Sequence, residues 1–144
     1  MAKEMKKPVS AYTDQADLRV LMANVRERGR EDIWREAFSK LCSLQGMDQT
    51  DPLHRDFYQT LAAYEELLTE KNGRTTRASR TRQKLQKKGV VRCLEDWAIS
   101  LTPTDGYNLL IERGMVELTG EFLVQKYPER FSVEAVTAAK SRLG

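Results

Sequence analysis

Apolar residues recur along this chain at helical spacing almost throughout, and no stretch sustains the period of two that marks strands. The pattern predicts an all-α fold. Leu18, Leu21, Met22 and Val25 form a stripe at i, i+3, i+4 and i+7, followed by Gly29 where a helix would stop. Ile33, Trp34, Ala37, Phe38 and Leu41 form the next, with an expected end at Gly46. Asp51-Pro52 opens a third helix, because the aspartate side chain can cap free amides and proline suits the first turn. Leu53, Phe57, Leu61, Tyr64 and Leu68 share one of its faces, and Asn72-Gly73 closes it.

Thr75 or Thr76 is expected to cap a fourth helix running to Lys88, with a tight turn at Gly89 into Val90, Val91, Leu94, Trp97 and Ala98. These two helices would form a short hairpin. Thr102-Pro103 opens a C-terminal third of small helices, around Tyr107 to Arg113, Leu118 to Lys126, and Val133 to Leu143 behind a Ser132 cap. Glycine stops are expected at Gly89, Gly114 and Gly120. No linker rich in Pro, Gly or Ser divides the chain, and no internal repeat has a fixed period. The expected organisation is a flexible stretch over residues 1–12, then one compact domain over 13–144 with about seven to eight short helices, one of them basic and exposed. A chain of 144 residues is long enough to bury roughly 70% of its extended surface without staples. Trp34, Phe38, Phe57, Leu61, Leu94 and Trp97 are the expected core.

With 40% hydrophobic and 31% charged residues, the composition is that of a globular protein, not a disordered or membrane one. No run approaches a membrane span, and Lys3, Lys6 and Lys7 lead into no apolar stretch of the kind a secretory signal needs. A soluble cytoplasmic protein with no membrane partner is expected. Cys42 and Cys93 lie among apolar residues, which fits buried thiols in a reducing compartment better than a disulfide.

Charge changes the picture most. Lys71, Arg74, Arg77, Arg80, Arg82, Lys84, Lys87, Lys88 and Arg92 fall within 22 residues that contain no acid. Taking these nine from the 24 basic residues leaves 15 against 21 acidic ones, so a net charge of +3 hides a cationic element on an acidic body. Projected at about 100° per residue, Arg77, Arg80, Lys84, Lys87 and Lys88 share one arc, while Ala78, Thr81 and Leu85 offer the only packing flank. Like charges at i, i+3 and i+4 repel, so something must compensate them. Acids of the same chain, such as Glu65 and Glu66 or Glu95 and Asp96, are one solution; an external polyanion is the other.

Four arginines from Arg74 to Arg82 favour phosphate, to which a guanidinium makes forked bonds, and the interleaved Thr75, Thr76, Ala78, Ser79 and Thr81 let a backbone come close. The expected activity is contact with nucleic acid through residues 74–92, by Arg74, Arg77, Arg80, Arg82, Lys84, Lys87, Lys88 and Arg92, with Gln83 and Gln86 as base readers if a groove is entered. Because no residue from 71 to 92 is aromatic, the segment itself has no stacking platform, and duplex DNA or structured RNA is expected over single strands. The alternative is a helical adaptor or regulatory module whose basic helix docks on an acidic protein partner or a second copy of the chain. A third reading is an enzyme on phosphate esters, with or without a metal, using Glu65, Glu66 and Glu70 beside Lys71. Nothing else points to catalysis: His54 lacks a spaced nucleophile, no metal-ligand spacing is present, and no glycine loop cradles a phosphate. No catalytic residue, metal or cofactor is therefore assigned.

Overall fold

The computed structural model describes residues 8–44, 47 and 49–144. Among these lie α1 (Gln15–Glu27), α2 (Glu31–Ser43), α3 (Pro52–Asn72), α4 (Ser79–Ile99), α5 (Asp105–Glu112), α6 (Gly120–Lys126) and α7 (Val133–Leu143), with 3-10 turns at Val9–Ala11, Val116–Leu118 and Pro128–Arg130 and no strand. The all-α expectation holds.

Local chemistry sets most helix starts. Asp14, Asp51, Thr104, Thr119 and Ser132 each accept a backbone N–H in the first turn of α1, α3, α5, α6 and α7. Gly73 ends α3 in the left-handed conformation (φ 72°), donating its N–H to the Thr69 carbonyl. The expected stop at Gly46 lies outside the described residues, as do residues 1–7 of the expected flexible stretch. Within that stretch Val9 is buried against α1 and α2. The expected stop at Gly120 is corrected: it is the first residue of α6, placed there because a Cβ would lie 2.5 Å from Cε3 of Trp97.

The buried side chains form two clusters that share α3. The first gathers Leu18, Met22, Val25, Trp34, Phe38 and Leu41 with Ala63 and Leu67 of α3. The second gathers Val90, Cys93, Leu94 and Ala98 of α4 with Leu123, Val124, Ala135 and Ala139, around Leu53, Phe57 and Leu61 of α3. Because α3 is covered on two sides, Leu67 is buried where the single-face pattern points to Leu68, which is only partly covered. Trp97 is also a correction: it is partly exposed, its ring stacked on Phe57 at 5.7 Å. Phe38 and Phe57 are fully buried; each contributes about 1.5–3 kcal/mol relative to exposure.

Candidate nucleic-acid interface

The basic helix starts later than its threonines suggest. Thr76 is tied to α3, its N–H donating to Oγ1 of Thr69 at 2.9 Å and its own Oγ1 accepting from Asn72 at 3.1 Å, so it caps nothing. Instead the chain enters α4 under Glu65 of α3. Oε2 of Glu65 accepts the Ala78 N–H at 2.9 Å, and its two oxygens take Nε and Nη2 of Arg82 at 2.6 and 2.7 Å. One carboxylate thus caps the helix and neutralises a cation in its first turn, where positive charge opposes the helix dipole. Burial pushes the Glu65 carboxyl up, but the bonds from Arg82 and Ala78 outweigh it and hold it below the ordinary value.

Gly89 interrupts α4 with φ 87° and ψ 173°, far from helical values. In an unbroken helix Lys84 and Asp96 would stand about 18 Å apart; here the chain turns back at Gly89 and the Lys84 ammonium bonds Oδ2 of Asp96. Arg92 reaches Oδ1 of the same carboxylate at 3.3 Å. The hydrogen bond from Lys84, with the charges of Arg92 and Lys88, holds the Asp96 carboxyl below its usual range.

The predicted site residues therefore divide. Arg82, Lys84 and Arg92 are bonded to acids of the same chain. Arg74, Arg77, Arg80, Lys87 and Lys88 are exposed and form no ion pair among the described residues, and Gln83 is exposed beside them. Arg77 precedes α4 instead of lying on it; Arg80, Lys87 and Lys88 share one arc of the segment 79–88, and Arg82 falls on the opposite side, toward α3. Ala78 is buried and Leu85 partly so, as the packing flank requires.

The other chemical candidates are occupied elsewhere. A cleft of about 630 Å³ lined by α1, α3 and residues 75–82 is where a phosphate ester would meet Glu65 and Glu66 of α3. Glu66 in it bonds Arg19 at 3.2 Å, while Glu70 bonds Arg26 and, at 2.7 Å, Arg113. Both guanidiniums of the Glu70 pair lie over the Trp34 ring, 4.6 and 4.4 Å from its centroid. Among the described residues no group of three or more His, Cys, Asp or Glu is arranged to hold a metal ion. Nε2 of His54 lies 3.7 Å from Oδ2 of Asp51, and that carboxylate is held by both Nη atoms of Arg130. The two cysteines are free and buried, Cys42 in the first cluster and Cys93 in the second, and burial pushes both thiols up.

One feature next to the basic helix has no signal within residues 71–92. Arg80 stands at a second cleft, of about 290 Å³, whose wall includes Tyr64 from α3, Trp97 from the far half of α4 and Tyr107 from α5. Aromatic rings do flank the cationic face, supplied by elements distant in sequence. No helix among the described residues is long and apolar enough to cross a membrane. No protein-family model, curated protein or solved structure matches the chain.

Proposed function

We propose that this protein binds duplex DNA or structured RNA by phosphate contacts from Arg74, Arg77, Arg80, Lys87 and Lys88, and acts by occupancy in a cytoplasmic, reducing environment. The observation that carries this reading is the division of the basic block. Where the chain has an acid within reach it uses it, for Arg82, Lys84 and Arg92; five further cations stay exposed with no carboxylate bonded to them among the described residues. Arg80 and Lys88 are about 12 Å apart along the helix axis, a span of roughly three to four base steps at 3.4 Å each. Gln83, on the edge of that arc, is the base reader if the helix enters a groove.

Counterion release makes the reading quantitative. Five phosphate contacts predict that the logarithm of the binding constant falls against log salt with a slope of about −4.5 on duplex DNA. Arg77→Ala, Arg80→Ala and Lys87→Ala should each weaken binding to every sequence alike and flatten the slope by about one unit, read by fluorescence anisotropy at several salt concentrations. A folded triple variant that binds as tightly as the parent would overturn the proposal. Absence of binding to either nucleic acid at low salt would do the same, and would favour an acidic protein partner.

A further inference from the structure

The cleft beside Arg80 is enclosed by α3, α4, α5 and α6 and measures about 290 Å³, the small end of the range for ligand sites and suited to a single planar ring system with one substituent. Two glycines shape it. A Cβ on Gly106 would lie 2.9 Å from Cδ1 of Tyr64, and one on Gly120 would lie 2.5 Å from Cε3 of Trp97, so both rings rest directly on backbone.

Two of its polar side chains, Thr60 and Glu121, are buried. Glu121 is 1% exposed; Nη1 of Arg142 donates to its Oε2 at 2.9 Å, and no described side chain donates to Oε1. Thr60 is 3% exposed and its hydroxyl has no hydrogen-bond partner among the described residues. Among the described residues no side-chain oxygen shut off from solvent lacks a partner, so that hydroxyl keeps some exposure, and Thr60 lines the cleft. At the rim stands Arg80, exposed and free of ion pairs among the described residues. The cleft thus offers aromatic walls, a cation at the rim and inside it the Glu121 carboxyl, which burial pushes above its ordinary value against the bond from Arg142.

We propose that this cleft holds a guanine nucleotide, its ring against Tyr64, Trp97 and Tyr107, its N–H edge on Glu121 and Thr60, and its phosphate on Arg80. A carboxylate accepts and cannot donate. Guanine alone among the common bases sets an imino and an amino donor side by side; adenine and cytosine place a ring-nitrogen lone pair next to the amine, and uracil flanks its N–H with two carbonyls. Aromatic side chains supply the stacking that an unpaired base needs. The phosphate contact rests on the role proposed above for Arg80, whereas the base contacts are independent of it. The ligand is either a free nucleotide or an unpaired guanosine within a strand.

Titrating the protein with GMP and AMP, followed by tryptophan fluorescence and amide chemical shifts, tests the assignment. Saturable binding of GMP at least tenfold tighter than AMP is expected. Thr60→Val keeps shape and loses only the hydroxyl, and should weaken GMP several-fold with an unchanged melting temperature; Glu121→Gln should weaken it tenfold or more. Arg80→Ala should erase the preference for GMP over guanosine. A hairpin with one bulged guanosine, compared with a bulged adenosine and a fully paired duplex, separates the sources: preference for the bulged guanosine assigns a strand, and no preference despite GMP binding assigns the free nucleotide. GMP binding no tighter than AMP, or unaffected by Thr60→Val, overturns the inference. If the paired duplex still binds in that case, only this inference falls and the phosphate-contact reading stands.

Discussion

Gly120→Ala adds one methyl group at the most crowded of the described glycines. Its Cβ would lie 2.5 Å from Cε3 and 3.0 Å from Cζ3 of Trp97, and 3.0 Å from Cδ2 of Leu94. Carbon atoms settle at about 3.5–4.0 Å, so an opening on the order of 1 Å is required. Phe57 stacks on the indole at 5.7 Å and Leu94 is fully buried, so the ring can give way only toward the cleft it lines. Overpacking of this kind costs about 1–3 kcal/mol. Alanine is the better helix former by about 1 kcal/mol in a helix interior, but residue 120 opens α6 and recovers only part of that. A net loss of about 1–2 kcal/mol is expected, a fall in melting temperature of roughly 3–8 °C, with a changed near-ultraviolet circular dichroism from Trp97. Gly89→Ala is the control: its Cβ meets nothing within 4 Å, so any loss comes from the left-handed backbone (φ 87°) and should leave the Trp97 signal intact. A Gly120→Ala protein as stable as the parent, with an unchanged tryptophan signal, would refute the close approach of α6 to Trp97.

Arg82→Ala should behave unlike the free cations: it leaves the partly buried Glu65 carboxylate without its forked partner, costing about 1–3 kcal/mol in urea unfolding, while the salt slope of nucleic-acid binding stays near the parental value. The hydrogen bond from Arg130 holds the Asp51 carboxyl down, to about 2. A depressed folded-state pKa means that this pair stabilises the fold above the unfolded value of about 3.9 and that the contribution is lost as pH falls toward 2. Arg130→Gln should move the Asp51 titration, followed by carboxyl NMR, back toward about 3.9, and should flatten the decline of stability over that window; an unmoved titration would show that Arg130 is not its cause.

What the sequence makes legible is what neighbouring residues decide. Asp51-Pro52 and Gly73 bound α3, and Ser132 caps α7, because each cap bonds an amide or carbonyl within four residues. The start of α4 is illegible by the same logic: the group that caps it, Glu65, lies 13 residues upstream on another helix. Gly120 reads as a stop because its real constraint, Trp97, belongs to a different element. The charge block is plain in the sequence, and Glu65, Glu66, Glu95 and Asp96 are all visible as possible compensators. Only the fold sorts them: Glu66 turns to Arg19 and Glu95 takes the Ser132 amide, which leaves Glu65 and Asp96 to the basic helix. The aromatic cleft is invisible because Tyr64, Trp97 and Tyr107 converge from three helices.

A helix with a core on each side has a mechanical consequence. Leu53, Phe57 and Leu61 anchor α3 in the second cluster while Ala63 and Leu67 anchor its other end in the first. A chain severed between α2 and α3 would leave α3 with Ala63 and Leu67 bare and α1–α2 with no lid over Trp34 and Phe38. Neither fragment would bury its own apolar surface, yet each carries the other's missing wall. Mixed together, the pieces should reassemble as a split protein does, and the intact molecule should loosen in one step despite its two centres of packing.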